Sequence, residues 1–215
     1  MASTPQIKPG IKDALIVVDV QNDFCPGGRL AVQKGDEVVP LVNALAKRFG
    51  NVVLTQDWHP PGHQSFATSH PGSKPFDSIE LRYGEQVLWP DHCVQGSRGA
   101  RFHPVLNRSD VAKVFRKGTD PDIDSYSTFF DNAHRKSTGL GDYLRGETVT
   151  DVYLLGLATD YCVKYSALDA VSLGFKTHVI IDGCRGVELN AGDTKAAVDE
   201  MREAGVEIVT SADLR

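Results

Sequence analysis

Several features that would assign this chain to a class at once are missing. The four cysteines, Cys25, Cys93, Cys162 and Cys184, are widely spaced and form no CxxC pair. Nothing between Met1 and Lys12 has the apolar core of a signal peptide, so reduced thiols and a cytoplasmic setting are expected rather than two disulfides. The longest apolar runs are strand-sized, which leaves no membrane-spanning helix. A net charge of −5 and the lack of any basic run, or of basic residues interleaved with aromatics, argue against a nucleic-acid surface. Internal repeats, low-complexity tracts and interdomain linkers are also absent. The first apolar stretch leads into Val20-Gln-Asn-Asp-Phe24 instead of a glycine-rich phosphate turn, which disfavours a dinucleotide site.

What is present describes one α/β domain. With 215 residues and 41% hydrophobic content, the chain can bury a single substantial core. Residues 1–12 hold Pro5, Pro9 and Gly10 without periodicity and read as a flexible tail before a domain over 13–215. Strands are expected over 13–20, 52–55, 112–117, 152–157, 177–182 and 207–210, each a short apolar run. Helical spacing follows from Asp36 or Glu37 to Phe49, around Tyr143 and Leu144, over 161–173 and over 194–204. This alternation predicts a doubly wound, mostly parallel six-stranded sheet with helices on both faces. The stretches 57–111 and 119–139 are too long and irregular for ordinary connections, and such excursions usually carry function.

The central stretch is Val152-Tyr-Leu-Leu-Gly-Leu-Ala-Thr-Asp-Tyr-Cys-Val163. It reads as a buried strand followed by a helix, with Thr159 or Asp160 as N-cap. Cys162 then lies in a first helical turn beyond the carboxyl end of a strand, where the helix dipole favours ionisation below the ordinary thiol value. Asp19 and Lys117 also fall at carboxyl ends of strands, and in a parallel sheet these ends share one edge. Three unlike ionisable groups can therefore converge there. Lys117 would favour the thiolate, and Asp19 would accept and return its proton.

Asp57 and His59, spaced to share one face of an extended segment, can join His92 as ligands of a divalent metal with positions left open. The donor set admits zinc, iron or manganese. His63 and Ser65 are weaker candidates that could supply a fourth ligand, hold a metal-bound water or simply shape the turn. Phe24 and Trp89 flank these residues and could sandwich a flat ring.

Five motifs in order then match a known pattern: Val18-Asp-Val-Gln-Asn-Asp-Phe-Cys-Pro-Gly-Gly28, Gln56-Asp-Trp-His-Pro60, Trp89-Pro-Asp-His-Cys93, Lys117-Gly118 and Gly156-Leu-Ala-Thr-Asp-Tyr-Cys162. In these the chain resembles the nicotinamidase/pyrazinamidase branch of the isochorismatase-like cysteine hydrolases. The resemblance implies hydrolysis of nicotinamide to nicotinate and ammonia, and of pyrazinamide likewise, through a cysteine thioester. It implies a triad of Asp19, Lys117 and Cys162, and one metal per chain, zinc first, on Asp57, His59 and His92. It further implies a cis peptide at Leu157-Ala158, an oxyanion hole from the amides of Ala158 and Cys162, and a ring pocket of Phe24, Trp89, Tyr126 and Tyr161. The rival expectations are a sibling hydrolase of another small amide or ureido compound, and a metal-binding domain without turnover. Oligomeric state is not readable from one chain, and a homo-oligomer is compatible with it.

Overall fold

In the computed structural model, which describes residues 7–215, the organising element is strand β1 (Asp13–Val18). Its Ala14 to Val18 are all buried, as expected for a central parallel strand covered on both faces. β1 pairs in parallel with β2 (Asn51–Asp57) on one side and β6 (Asp151–Leu157) on the other. β5 (Lys113–Lys117) extends the sheet beyond β2, while β7 (Lys176–Arg185) and β8 (Glu207–Val209) extend it beyond β6. The order is β5-β2-β1-β6-β7-β8, parallel throughout, so the six-stranded expectation holds.

This order positions the site. The chain builds outward from β1 through β2 to β5, then returns to lay β6, β7 and β8 on the opposite side. The direction of winding reverses between β1 and β6, and open α/β sheets bind ligands in the crevice beyond the strand ends at such a reversal. Asp19 follows β1 and Cys162 follows β6, one on each side of it. Gly156 adjusts β6 there. At φ +126 it lies so close to Val18 that an added Cβ would collide with the Val18 carbonyl, a conformation that glycine adopts freely.

Helices α1 (Val38–Ala46), α2 (Leu140–Gly146), α3 (Lys164–Ser172) and α4 (Asp193–Glu203) pack with the sheet. α1 is preceded by a 3-10 turn at Gly35–Glu37 and ends before Phe49, which stays buried with its ring 5.2 Å from Tyr153. Leu15, Ile16, Leu154 and Leu155 are fully enclosed, each worth about 1.5–3 kcal/mol in removal from water.

Three local expectations change. The long excursion contains a hairpin, β3 (Ser78–Leu81) with β4 (Gly84–Val87). Its first strand is only half covered, with Ser78 and Glu80 outward and Ile79 and Leu81 half-buried, an alternation only four residues long. The expected helix over 161–173 starts as a π turn at Thr159–Val163 before α3, and neither Thr159 nor Asp160 caps it. The Asp160 carboxylate instead accepts from the amides of Val187 (2.9 Å) and Glu188 (2.7 Å), tying the segment after β7 to the turn that carries Cys162. Of the expected tail, residues 1–6 lie outside the described residues. Ile7 is already held: its amide donates to Asp213 O at 2.7 Å and its carbonyl accepts from Arg215 at 2.8 Å, beside buried Leu214. Among the described residues no helix is long and apolar enough to cross a membrane.

Candidate active site

Lys117 closes β5, Asp57 closes β2, and Asp19 sits one residue beyond β1 at φ 46, a sparsely occupied region for a side-chain-bearing residue. All three are buried, as is Cys162. The Lys117 ammonium lies 2.8 Å from Asp57 Oδ1, 2.8 Å from the Ser125 carbonyl, 3.3 Å from Cys162 Sγ and 2.9 Å from Asp19 Oδ2.

An ammonium has three hydrogens, and these four neighbours compete for them. Aligned hydrogen bonds run to Asp57, Ser125 and Cys162. Asp19 Oδ2 has the charge contact without a hydrogen bond, although it is buried. Its partner oxygen, Oδ1, accepts from Thr55 Oγ1 at 2.7 Å. One carboxylate oxygen is thus fixed, and the other keeps its acceptor capacity beside the ammonium that touches the sulfur.

The electrostatics correct one expectation from sequence. Burial pushes the Cys162 thiol well above its ordinary value; Lys117 opposes this, but Asp19 and Asp57 reinforce it. Helix position does not depress it, because complete desolvation and two nearby carboxylates prevail. Burial likewise raises the Asp19 carboxyl, with Lys117 pulling it down and Asp57 adding to the rise. For Lys117, burial works against the charge, yet Asp19 and Asp57 outweigh it and hold the ammonium protonated. The resting pair is therefore a thiol beside an acceptor whose own proton affinity has been raised, which suits proton transfer between them.

Asp57 turns its second oxygen to the neighbouring imidazoles. Oδ2 lies 3.4 Å from His59 Nε2 and 3.6 Å from His92 Nε2, and the three residues form one compact set of donor atoms. Each ring is oriented through its other nitrogen: His59 Nδ1 donates to the Gly118 carbonyl (3.0 Å) and His92 Nδ1 to the Pro90 carbonyl (2.8 Å). Both Nε2 lone pairs then face inward, the orientation that a carbonyl accepting from the other ring nitrogen gives a metal-binding histidine. His59 Nε2 is buried with no hydrogen-bond partner. Two imidazoles and a carboxylate so arranged fit a divalent ion.

His63 is close but differently set. The Ser65 amide donates to its Nδ1 at 3.1 Å, with Ser65 Oγ at 2.7 Å, so the hydrogen of the neutral ring resides on Nε2 and points inward as a donor. Ser65 is occupied with this ring. Burial lowers the His63 pKa to about 4, keeping the ring neutral.

Phe24, Trp89, Tyr126 and Tyr161 meet in one pocket with Ala158 and Cys162. Trp89 and Tyr161 pack edge to face at 4.8 Å, and the Tyr126 hydroxyl accepts from Gln86 (2.8 Å) and Trp89 Nε1 (3.2 Å). The peptide Leu157-Ala158 is cis, and the Ala158 carbonyl accepts from Tyr161 (3.2 Å) and Val163 (3.0 Å), framing Cys162 between them. Sequence reasoning missed Asp124, Gln86 and Val187. Asp124 approaches His59 Nε2 at 4.0 Å, and His59, His63 and Asp124 form a second donor cluster. Its neighbours Asp120 and Asp122 are equally acidic, so no spacing signal singles it out.

Comparison with known proteins places this geometry. Residues 13–213 match the isochorismatase domain family. The chain is 49% identical over 204 residues to a nicotinamidase of Escherichia coli, covering 93% of this chain and 95% of that one. It is 47% identical to a nicotinamidase of Acinetobacter baylyi, covering 94% of each. A solved nicotinamidase/pyrazinamidase of Acinetobacter baumanii superposes with a TM-score of 0.93 at 52% identity, over 95% of this chain and 98% of that one. A protein of L. infantum in complex with nicotinate superposes at 0.85 and 34% identity, over 98% of each chain. A pyrazinamidase of Pyrococcus horikoshii in complex with zinc does so at 0.76 and 37%, over 93% of this chain and 99% of that one.

Proposed function

This chain belongs to the isochorismatase domain family, and from that premise we propose that it is an amidohydrolase converting nicotinamide to nicotinate and ammonia, and pyrazinamide likewise. The observation that carries the mechanism is the meeting at Lys117, whose ammonium lies 2.9 Å from Asp19 Oδ2 and hydrogen-bonds Cys162 Sγ at 3.3 Å, so that one cation holds the acceptor and the thiol together.

The pyridine ring binds among Phe24, Trp89, Tyr126 and Tyr161, with its carboxamide over Cys162. Asp19 takes the thiol proton as sulfur adds to the amide carbon, and the carbonyl electron pair moves to oxygen. Amides of Ala158 and Cys162 stabilise that oxyanion. When the carbonyl re-forms, the C–N bond breaks and Asp19 returns the proton to the departing nitrogen, releasing ammonia. Water then adds to the thioester with Asp19 again as base. The C–S bond breaks, nicotinate leaves and the thiol regains its proton. Lys117 stays protonated throughout and stabilises negative charge as it alternates between sulfur and Asp19.

Asp57, His59 and His92 would hold one divalent ion, zinc first with iron or manganese as alternatives, which when bound supplies a Lewis acid beside the ring pocket. His63 donates from Nε2 toward that centre instead of coordinating it. The four cysteines, all free, suit a reducing cytoplasmic setting.

Ammonia release with nicotinamide as sole substrate tests the reading. Turnover is expected, lost after dialysis against a chelator and restored by zinc. Ammonia from a ureido compound with none from nicotinamide would reassign the substrate to a sibling activity.

A further inference from the structure

A cleft of about 1070 Å3 opens at the β5 edge of the sheet and shares no lining residue with the pocket around Cys162. Its walls carry Arg98, Arg101, Arg108, Lys113 and Arg116, and no carboxylate among the described residues lines it. All five cations are exposed. None of the five forms a salt bridge among the described residues; the arginines that do, Arg145, Arg185 and Arg202, lie elsewhere. On a chain of net charge −5, five uncompensated positive groups facing one concavity repel one another and focus a field that attracts anions.

The cleft is also structured by its rings. The Arg116 guanidinium lies 4.0 Å from the Trp58 ring centroid, and its Nε donates to Gln56 Oε1 at 3.2 Å. Arg108 approaches Phe102 at 6.0 Å, and Lys113 stands 5.1 Å from Phe115. These contacts hold cationic side chains along the walls, which lowers the entropy cost of closing them on a ligand.

We propose that this cleft binds a multiply charged phosphorylated small molecule, with its phosphates on the guanidinium groups. Four of the five cations are arginines, whose planar fork matches phosphate oxygens bidentately. The number of cations calls for more than one negative charge. The cleft's volume is near that of small-ligand pockets, and the net charge of −5 that the chain carries as a whole disfavours a long polyanion. Half-buried Phe102 offers a face for a base where the phosphates belong to a nucleotide.

Calorimetric titration of the metal-loaded protein with pyrophosphate, ATP and adenosine tests this. Pyrophosphate and ATP should bind, more weakly at higher salt, and adenosine should not. Equal affinities for the first two would identify a phosphate site, and tighter ATP binding that Phe102→Ala removes would identify a nucleotide site. Arg101→Glu with Arg108→Glu should weaken both by about tenfold or more, with ammonia release and thermal midpoint unchanged. Arg101→Ala with Arg108→Ala provides the same comparison should charge reversal disturb folding. Phosphate binding undiminished in both double variants would locate the signal elsewhere, including chelation at Asp57, His59 and His92, and would overturn the proposal. So would no binding of either phosphate at about 1 mM, a very weak affinity.

Discussion

Cys162→Ala is expected to lower ammonia release from nicotinamide by roughly 10⁴-fold or more, as removal of a nucleophile from a concerted catalytic group does. Metal content should be unchanged, because Asp57, His59 and His92 reach their common centre without the sulfur. Stability should fall by only about 1 kcal/mol, comparable to loss of one buried methyl group. The size of the kinetic loss follows from the geometry. Cys162 Sγ is the polarisable atom hydrogen-bonded to Lys117 at 3.3 Å, and the same ammonium lies 2.9 Å from Asp19 Oδ2, so the substitution removes the thiol from this shared contact. Steady-state ammonia assays beside metal analysis check the prediction. Substantial residual turnover would contradict attack by this sulfur.

Lys117→Met is the second large effect, and it acts on stability as well as rate. Methionine keeps most of the side-chain volume but leaves the buried Asp19 and Asp57 carboxylates without the ammonium between them. Removing one partner from a buried ion pair costs about 3–5 kcal/mol, which in a chain of this size lowers the melting midpoint by roughly 6–20 °C. Activity should be lost with it. The deficit should narrow as pH falls. Burial already raises the Asp19 carboxyl, and without Lys117 it rises further, so folding favours its protonated form and acid relieves the unpaired charge. Adding Asp19→Asn should recover part of the lost stability and none of the activity. Thermal denaturation of both variants across the acidic range checks this, and a deficit that widens on acidification would contradict it.

The sheet was legible because its central strands are continuous apolar runs. Ala14 to Val18 and Val152 to Leu157 leave no polar face to mislead the reading. The convergence of Asp19, Lys117 and Cys162 followed from the same source, since parallel strands present their carboxyl ends at one edge. Features set by tertiary contact were not legible. The hairpin of β3 and β4 has exposed polar positions, and Asp124 looks like its acidic neighbours until His59 and His63 are brought to it. In sequence Thr159 or Asp160 fits a helix cap, whereas the Asp160 carboxylate accepts from amides far along the chain at Val187 and Glu188. The thiol's proton affinity was misjudged because a helix position is visible in sequence and complete burial is not. The basic cleft was missed too: its five cations are spread from Arg98 to Arg116 without forming a run, and only folding faces them together.

All of the chemistry assigned here requires that nicotinamide pass through a bond to one sulfur. Rapid mixing with excess nicotinamide, acid quenching within a turnover and mass analysis of the intact and digested protein would measure that bond. The account predicts a mass increment of one nicotinoyl group, confined to the peptide carrying Cys162 and discharged as nicotinate forms. Full turnover with unmodified Cys162 at every quench time, or with the adduct on Cys25, Cys93 or Cys184, would contradict it.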